Sequence, residues 1–125
     1  MVIIIDDEPI LCEVFKLMLG ENGCECQTFL SPKKAIAFYE ENHSNICFVF
    51  VDVEMPVMNG YDCIKIMQKI NSGLKAIITT GHSKEKTEKK YGTKFVILQK
   101  PFNFDILYEL IPPLCKRTCK KEIVT

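Results

Sequence analysis

Residues 46–60 carry the most informative sequence of the chain, ICFVFVDVEMPVMNG. The first six of them, 46–51, form its most apolar segment, and this segment ends on an acid, Asp52. An apolar run without polar alternation is typical of a strand that is buried on both faces of a parallel sheet. Pro56 and Gly60 then indicate a loop before the next helix. We therefore predict that 46–51 is the central strand of a parallel sheet.

Short apolar runs alternate with helical patterns on both sides of this segment. The predicted strands are 2–5, 24–29, 46–51, 76–79 and 95–98, and the predicted helices are 10–19, a helix capped by Ser31, 61–70, 83–91 and a helix capped by Asn103. Strands that alternate with helices indicate βα units, and right-handed crossovers place helices on both faces of the sheet. The sequence therefore predicts an α/β fold with a doubly wound, five-stranded parallel sheet.

Composition excludes several classes of protein. The 125 residues suffice for one domain, and the 16 basic residues balance the 16 acidic ones. Nucleic-acid binding by bulk charge is therefore not expected. The apolar runs are too short to span a membrane, and no signal peptide is visible, so we expect a cytoplasmic protein without membrane insertion. We place the domain at 1–115 and a basic, flexible tail at 116–125.

The seven cysteines do not form a recognisable metal or disulfide pattern. Their number is odd, and no pair has the C-x2-C spacing that begins a zinc site. Cys12, Cys47 and Cys63 fall inside apolar patterns. We expect them to be reduced thiols in the core.

Polar residues follow four of the five predicted strands. Asp6 and Asp7 follow the first, Asp52 the third, Thr80 the fourth and Lys100 the fifth. Open parallel sheets bind ligands beyond the carboxyl ends of their strands. A single acid at such a place is as readily a helix cap, but five polar groups at one edge indicate a site.

The chemistry of this set is consistent. Clustered carboxylates repel one another unless their pKa values shift or a cation binds. A site with only oxygen ligands and with open coordination positions suits Mg²⁺ or Mn²⁺ rather than zinc. A carboxylate can also attack phosphorus, and a metal, a lysine and a hydroxyl or N–H donor would neutralise the phosphoryl oxygens.

Four motifs resemble those of the receiver domain of two-component response regulators and hybrid kinases, over residues 1–114. They are Asp6-Asp7-Glu8, the run DVEMPVMNG at 52–60, Thr80-Gly81 and Lys100-Pro101-Phe102. The resemblance implies a flavodoxin-like (βα)5 fold with strand order 2-1-3-4-5. It also implies a phosphorelay function, in which a histidine kinase or a histidine phosphotransfer protein donates a phosphoryl group.

The resemblance assigns a role to each matching residue. Asp52 would be the phosphoacceptor, and Thr80 and Lys100 would bind phosphoryl oxygens. Asp7 and Asp52 would bind the metal directly, Asp6 through water, and Glu54 through its backbone carbonyl. Lys100-Pro101 is the position where the family often has a cis peptide bond.

One position departs from the family. Three residues before the lysine the family usually has Tyr or Phe, and this chain has Ile97. Phe95 should point to the same side of the strand as Ile97, so it could not replace the aromatic ring without a change of register. The aromatic-switch mechanism of output therefore does not transfer. We also expect Glu54 and His82 to flank the phosphoryl group and tune its lifetime.

Two alternatives stay open. One is a phosphatase with an aspartyl nucleophile, in which Glu54 would take the place of a second acid. The other is a degenerate receiver that acts as a docking or dimerisation module without phosphorylation. No helix-turn-helix follows Lys100, so we expect a stand-alone receiver or a part of a larger protein. It would be a monomer or weak homodimer that contacts a target or output domain through its last two helices and fifth strand.

Overall fold

The computed structural model describes residues 1–21, 23–92 and 94–101. Within these ranges, each strand is separated from the next strand by a helix. They are β1 (Val2–Ile5), α1 (Pro9–Glu21), β2 (Cys26–Phe29), α2 (Pro32–Asn42), a 3-10 turn (His43–Asn45), β3 (Phe48–Asp52), α3 (Gly60–Ile70), β4 (Ala76–Thr80), α4 (Lys84–Tyr91) and β5 (Val96–Gln99). The helix predicted after Asn103, the domain end at 115 and the tail at 116–125 lie outside the described residues.

The five strands form one parallel sheet in the order β2-β1-β3-β4-β5. The predicted doubly wound sheet and its strand order are confirmed. β3 is the central strand, where Val51 pairs with Ile5 on one side and with Ile78 on the other. Because all strands run in one direction, their carboxyl ends meet at a single edge.

The core lies on both faces of the sheet. Val2 and Ile4 of β1 pack into the cluster under α1, whereas Ile3 and Ile5 pack into the cluster under α2 and α3. This division follows from the period of two in a strand, which turns neighbouring side chains to opposite faces. Phe95 and Ile97 pack against the same cluster, which confirms that the two side chains lie on one side of the sheet.

Three helices begin at side-chain caps. Ser31, Asn59 and Ser83 each accept a hydrogen bond from the backbone N–H three residues later. Such a cap satisfies one of the N–H groups that the first turn of a helix leaves unpaired. The cap at Ser31 was predicted from the sequence, and Asn59 extends α3 back to Gly60, one residue before the predicted start.

Three of the described strands begin later than predicted, β5 by one residue and β2 and β3 by two. Residues 24 and 25 precede β2, because the N–H of Cys24 bonds to the carbonyl of Leu19 and closes the end of α1. Residues 46 and 47 precede β3, because Ile46 ends the 3-10 turn with a hydrogen bond to His43. Cys24, Ile46 and Cys47 are apolar, so hydrophobicity alone did not separate these residues from the strands that follow them.

The described cysteines are structural. Cys12 and Cys63 are buried, and Cys47 packs against the core beside α1, as predicted. Burial raises the pKa of Cys12 and Cys26 to about 11 and that of Cys63 to about 12, so these free thiols stay protonated at neutral pH. Among the described residues, no helix is long and apolar enough to cross a membrane.

Candidate functional site

The strand ends bring the predicted site residues together. Asp6 and Asp52 are almost completely buried, at 1% and 3% exposure, and Thr80 is fully buried. Asp7 is exposed on the loop after β1. Lys100 directly follows β5, and its backbone N–H bonds to the carbonyl of Thr80 at 2.7 Å. The predicted convergence of these groups at one edge is therefore observed.

The ammonium group of Lys100 lies between the two buried carboxylates. Its Nζ is 3.0 Å from Asp6 Oδ2 and 3.4 Å from Asp52 Oδ2. The peptide bond from Lys100 to Pro101 is cis, as predicted. A lysine in this position compensates part of the negative charge that the site concentrates.

Burial and mutual repulsion set the protonation of the acids. Burial, followed by the charge of Asp6, raises the pKa of Asp52 to about 6, although Lys100 lowers it in part. Burial also raises the pKa of Asp6, against the hydrogen bond from the Glu8 N–H and the pairing with Lys100. Desolvation lowers the pKa of Lys100, but its hydrogen bond to Asp6 and the nearby carboxylates outweigh this and raise it.

Asp6, Asp7 and Asp52 form a carboxylate cluster that fits a divalent cation. Each offers one oxygen, and these oxygens all lie within 4.8 Å of one another. Three anionic oxygens with only one lysine leave excess negative charge, and hard oxygen donors suit Mg²⁺. After burial, the charge of Asp6 is the second cause of the raised pKa of Asp52, and a bound cation would relieve that repulsion.

Thr80 is the centre of a second hydrogen-bond group, at the end of β4 and next to the strand that carries Asp52. Its hydroxyl accepts from the N–H of His82 at 3.1 Å and donates to the carboxylate of Glu54, at 3.2 and 3.0 Å from the two oxygens. Glu54 Oε1 also accepts from the N–H of Gly81 at 2.5 Å. Thr87 of α4 packs onto this group, with its hydroxyl 3.3 Å from that of Thr80.

The contacts of the Glu54 side chain were not predicted from the sequence. The backbone carbonyl was assigned as a metal ligand and the side chain only as a neighbour of the phosphoryl group, whereas the carboxylate joins the loop after β3 to the loop after β4. A glutamate near a phosphoacceptor was the available signal, but the sequence does not reveal which way such a side chain turns. A cavity of about 590 Å³ opens beside it, and its lining includes Glu54, His82, Lys86 and Lys90.

Comparisons with known proteins agree with this geometry. A family model described as the response regulator receiver domain matches residues 2–112. Hybrid signal transduction histidine kinase C of Dictyostelium discoideum is 34% identical over 68 residues, which are 54% of this chain and 5% of that protein. Sensor histidine kinase RcsC of Escherichia coli is 27% identical over 96% of this chain and 13% of its own length.

A solved structure extends the likeness to the whole fold. The response regulator TrrA of Thermotoga maritima, in complex with Mg²⁺ and BeF, is 29% identical, and the match has a TM-score of 0.75. It covers 90% of this chain and 96% of that one. The matches thus cover only a small part of the two kinases but nearly all of the TrrA chain.

Proposed function

Because this chain belongs to the response regulator receiver domain family of two-component systems, we propose that Asp52 accepts a phosphoryl group and that the phosphorylated domain transmits a signal. The observation that carries the proposal is the position of Asp52. Its buried carboxylate belongs to the cluster with Asp6 and Asp7 and lies 3.4 Å from the ammonium group of Lys100, and β3, which ends on Asp52, pairs with β4, which ends on Thr80. A carboxylate with cations and donors around it is suited to hold a phosphoryl group.

The reaction that we propose is an in-line displacement. A carboxylate oxygen of Asp52 attacks the phosphorus of a phosphohistidine on the donor protein, forming a P–O bond as the P–N bond breaks. The imidazole leaves with the electron pair and takes up a proton. With a pKa of about 6, Asp52 is ionised at neutral pH and is therefore ready to act as the nucleophile.

Asp6, Asp7 and Asp52, with the backbone carbonyl of Glu54, would hold the metal ion. A bound Mg²⁺, or Mn²⁺ in its place, would supply positive charge that neutralises the phosphoryl oxygens. The side chains then have distinct tasks. Lys100 pairs with one phosphoryl oxygen, and the Thr80 hydroxyl and the Gly81 N–H donate to another.

The partners follow from the same chemistry. We propose that the donor is a histidine kinase or a histidine phosphotransfer protein, as the names of two relatives also suggest. α4 and β5 border the site through Thr87 and Lys100, so they are placed to report its state to a target or output domain. Because the chain spans only 5% and 13% of these relatives, the function of any larger protein containing it is part of this proposal.

Phosphorylation by a small donor tests the proposal. The chain is incubated with acetyl phosphate and Mg²⁺, and its intact mass is measured. We expect the mass of one phosphoryl group to be added, to require the metal and to be lost in Asp52→Asn. Asp62→Asn is the matched control, because Asp62 is exposed in the first turn of α3 and should leave labelling unchanged.

Two results would count against phosphorylation at Asp52. A chain that binds Mg²⁺ yet takes up no phosphoryl group would favour the alternative of a docking module. Continuous hydrolysis of a phosphomonoester by the unmodified chain would instead favour the phosphatase alternative.

A further inference from the structure

The carboxylate of Glu54 occupies the donors that a phosphoryl group at Asp52 would need. It accepts hydrogen bonds from the Thr80 hydroxyl and from the Gly81 N–H. The Thr80 hydroxyl has one proton, and the N–H of His82 already donates to its oxygen, so this proton points at Glu54. The donors are therefore engaged before any phosphoryl group arrives.

The fit around this carboxylate is close. A Cβ atom added to Gly81 would lie 3.3 Å from Glu54 Oε1, which is tighter than ordinary van der Waals contact. Hydrogen bonds to an ionised acceptor are stronger than those between neutral groups. The carboxylate and a phosphoryl group are both anions with several acceptor oxygens, so they cannot share these two donors without strong repulsion.

The cavity beside Glu54 offers a second place for the carboxylate. Lys86 and Lys90 line it from successive turns of α4, and His82 lines it from the preceding loop. Ion pairs join Lys84 to Glu88 and Lys89 to Glu85, whereas Lys86 and Lys90 line the cavity. Lys90 Nζ also lies 5.3 Å from the centre of the Tyr91 ring, which lines the same cavity. A glutamate that leaves Thr80 and Gly81 would find two cations within the same cavity.

We propose that the Glu54 carboxylate is a built-in competitor of the phosphoryl group, held by Thr80 and Gly81 until phosphorylation displaces it toward Lys86 and Lys90 of α4. This inference rests on the proposed function, because it concerns the same donors. It supplies a link from Asp52 to α4 that needs no aromatic residue at position 97. Ile97 is 3% exposed and packs in the core.

Binding of beryllofluoride with Mg²⁺, a non-covalent phosphoryl mimic, tests the competition. Its dissociation constant is measured by isothermal titration calorimetry on the full chain, for the wild type and for Glu54→Ala. We expect Glu54→Ala to bind about tenfold tighter or more, since the mimic no longer has to displace a charge-assisted acceptor. Glu41→Ala, which removes an exposed acid of α2, is the matched control and should bind as the wild type does.

A second readout separates competition from a general change in the fold. Without ligand, the Gly81 amide proton should resonate upfield in Glu54→Ala relative to the wild type, because its short bond to a carboxylate is lost. Beryllofluoride should abolish most of this difference, because the amide then donates to the mimic in both proteins. An amide shift that is equal in the two ligand-free proteins would contradict the contact itself.

A double-mutant cycle tests whether Lys86 and Lys90 of α4 attract the displaced Glu54 carboxylate. Substitution of both Lys86 and Lys90 by Gln should weaken beryllofluoride binding more in the wild type than in Glu54→Ala. Equal weakening in the two backgrounds would show only general electrostatic attraction and would overturn the displacement toward α4. Equal affinity of wild type and Glu54→Ala would overturn the competition, whereas a wild type that binds no beryllofluoride and accepts no phosphoryl group would overturn the proposed function.

Discussion

Asp52 illustrates how a single side chain can be unfavourable for folding and useful for chemistry. It is 3% exposed, and burial together with the charge of Asp6 raises its pKa to about 6. The carboxylate is therefore ionised at neutral pH, but its ionisation costs free energy in the folded state. Lys100 offsets part of that cost at 3.4 Å, and a metal ion would offset more.

Removal of this charge should stabilise the metal-free protein. Between the ordinary aspartate pKa of 3.8 and the folded value of about 6, the folded chain keeps a proton that the unfolded chain has lost, so stability falls as pH rises. Asp52→Asn should therefore raise the free energy of unfolding above about pH 7 by roughly 2–3 kcal/mol, at about 1.4 kcal/mol per pKa unit. The gain should shrink as pH falls and disappear near pH 4, as measured by urea unfolding without divalent ions.

Asp62→Asn is the control for this pH series. Asp62 lies in the first turn of α3, where a negative charge is favourable, so its removal should lower stability slightly. A destabilised Asp52→Asn protein at neutral pH would contradict the view that burial of this carboxylate opposes folding.

Glu54 marks the limit of what the sequence could predict for the site. The predicted residues Asp6, Asp7, Asp52, Thr80 and Lys100 all converge, because topology alone brings the ends of parallel strands together. The contact of the Glu54 carboxylate with Thr80 and Gly81 depends on the conformation of one side chain across two loops. No periodicity or motif encodes that conformation.

The loop from β3 to α3 is held by close backbone contact at Gly60. A Cβ atom there would lie 2.2 Å from the Asp52 carbonyl oxygen and 2.9 Å from Val51 Cγ2. The N–H of Gly60 also bonds to the carbonyl of Val53 at 3.1 Å, which closes the loop. Glycine at the start of α3 therefore allows the helix to approach the strand that carries Asp52.

Gly60→Ala should push the start of α3 away from β3. We expect a loss of roughly 1–3 kcal/mol in the free energy of unfolding, since the backbone must shift to admit the methyl group. Gly20→Ala is the matched control, because nothing lies within 4 Å of its added Cβ and its helical position favours alanine by up to about 1 kcal/mol. Urea unfolding measures both, and similar values for the two variants would contradict the close contact at Gly60.

The elements themselves were predictable where pattern and capping agree. Ser31 and Pro32 fixed the start of α2, and the acids fixed where β1 and β3 end. Among the described strands, the largest errors fall at the starts of β2 and β3, where the apolar residues 24 and 46–47 precede the strand. The N–H groups of Cys24 and Ile46 bond to the carbonyls of Leu19 and His43, and the N–H of Cys47 bonds to the carbonyl of Met1. Hydrophobicity does not reveal such bonds.

The whole molecule arranges its chemistry by topology. With strand order 2-1-3-4-5, the strands that carry Asp6, Asp52 and Thr80 are adjacent, and Lys100 follows the edge strand β5. Residues far apart in the sequence thus form one site without any insertion. The same arrangement puts α4 next to that site, where Thr87 contacts Thr80 and where Lys86 and Lys90 line the cavity beside Glu54. We propose that a change at Thr80 or Glu54 reaches the helix through these residues.

Identification of the residue that carries the phosphoryl group is the sharpest test of this mechanism. The chain is phosphorylated with acetyl phosphate and Mg²⁺ and reduced with borohydride, which converts an aspartyl phosphate to homoserine. Mass spectrometry of its peptides then locates the product. We expect homoserine at position 52 and an unchanged aspartate at positions 6, 7 and 62. Homoserine at any of those other positions, or none at 52 in a phosphorylated chain, would contradict the assignment of Asp52 as the phosphoacceptor.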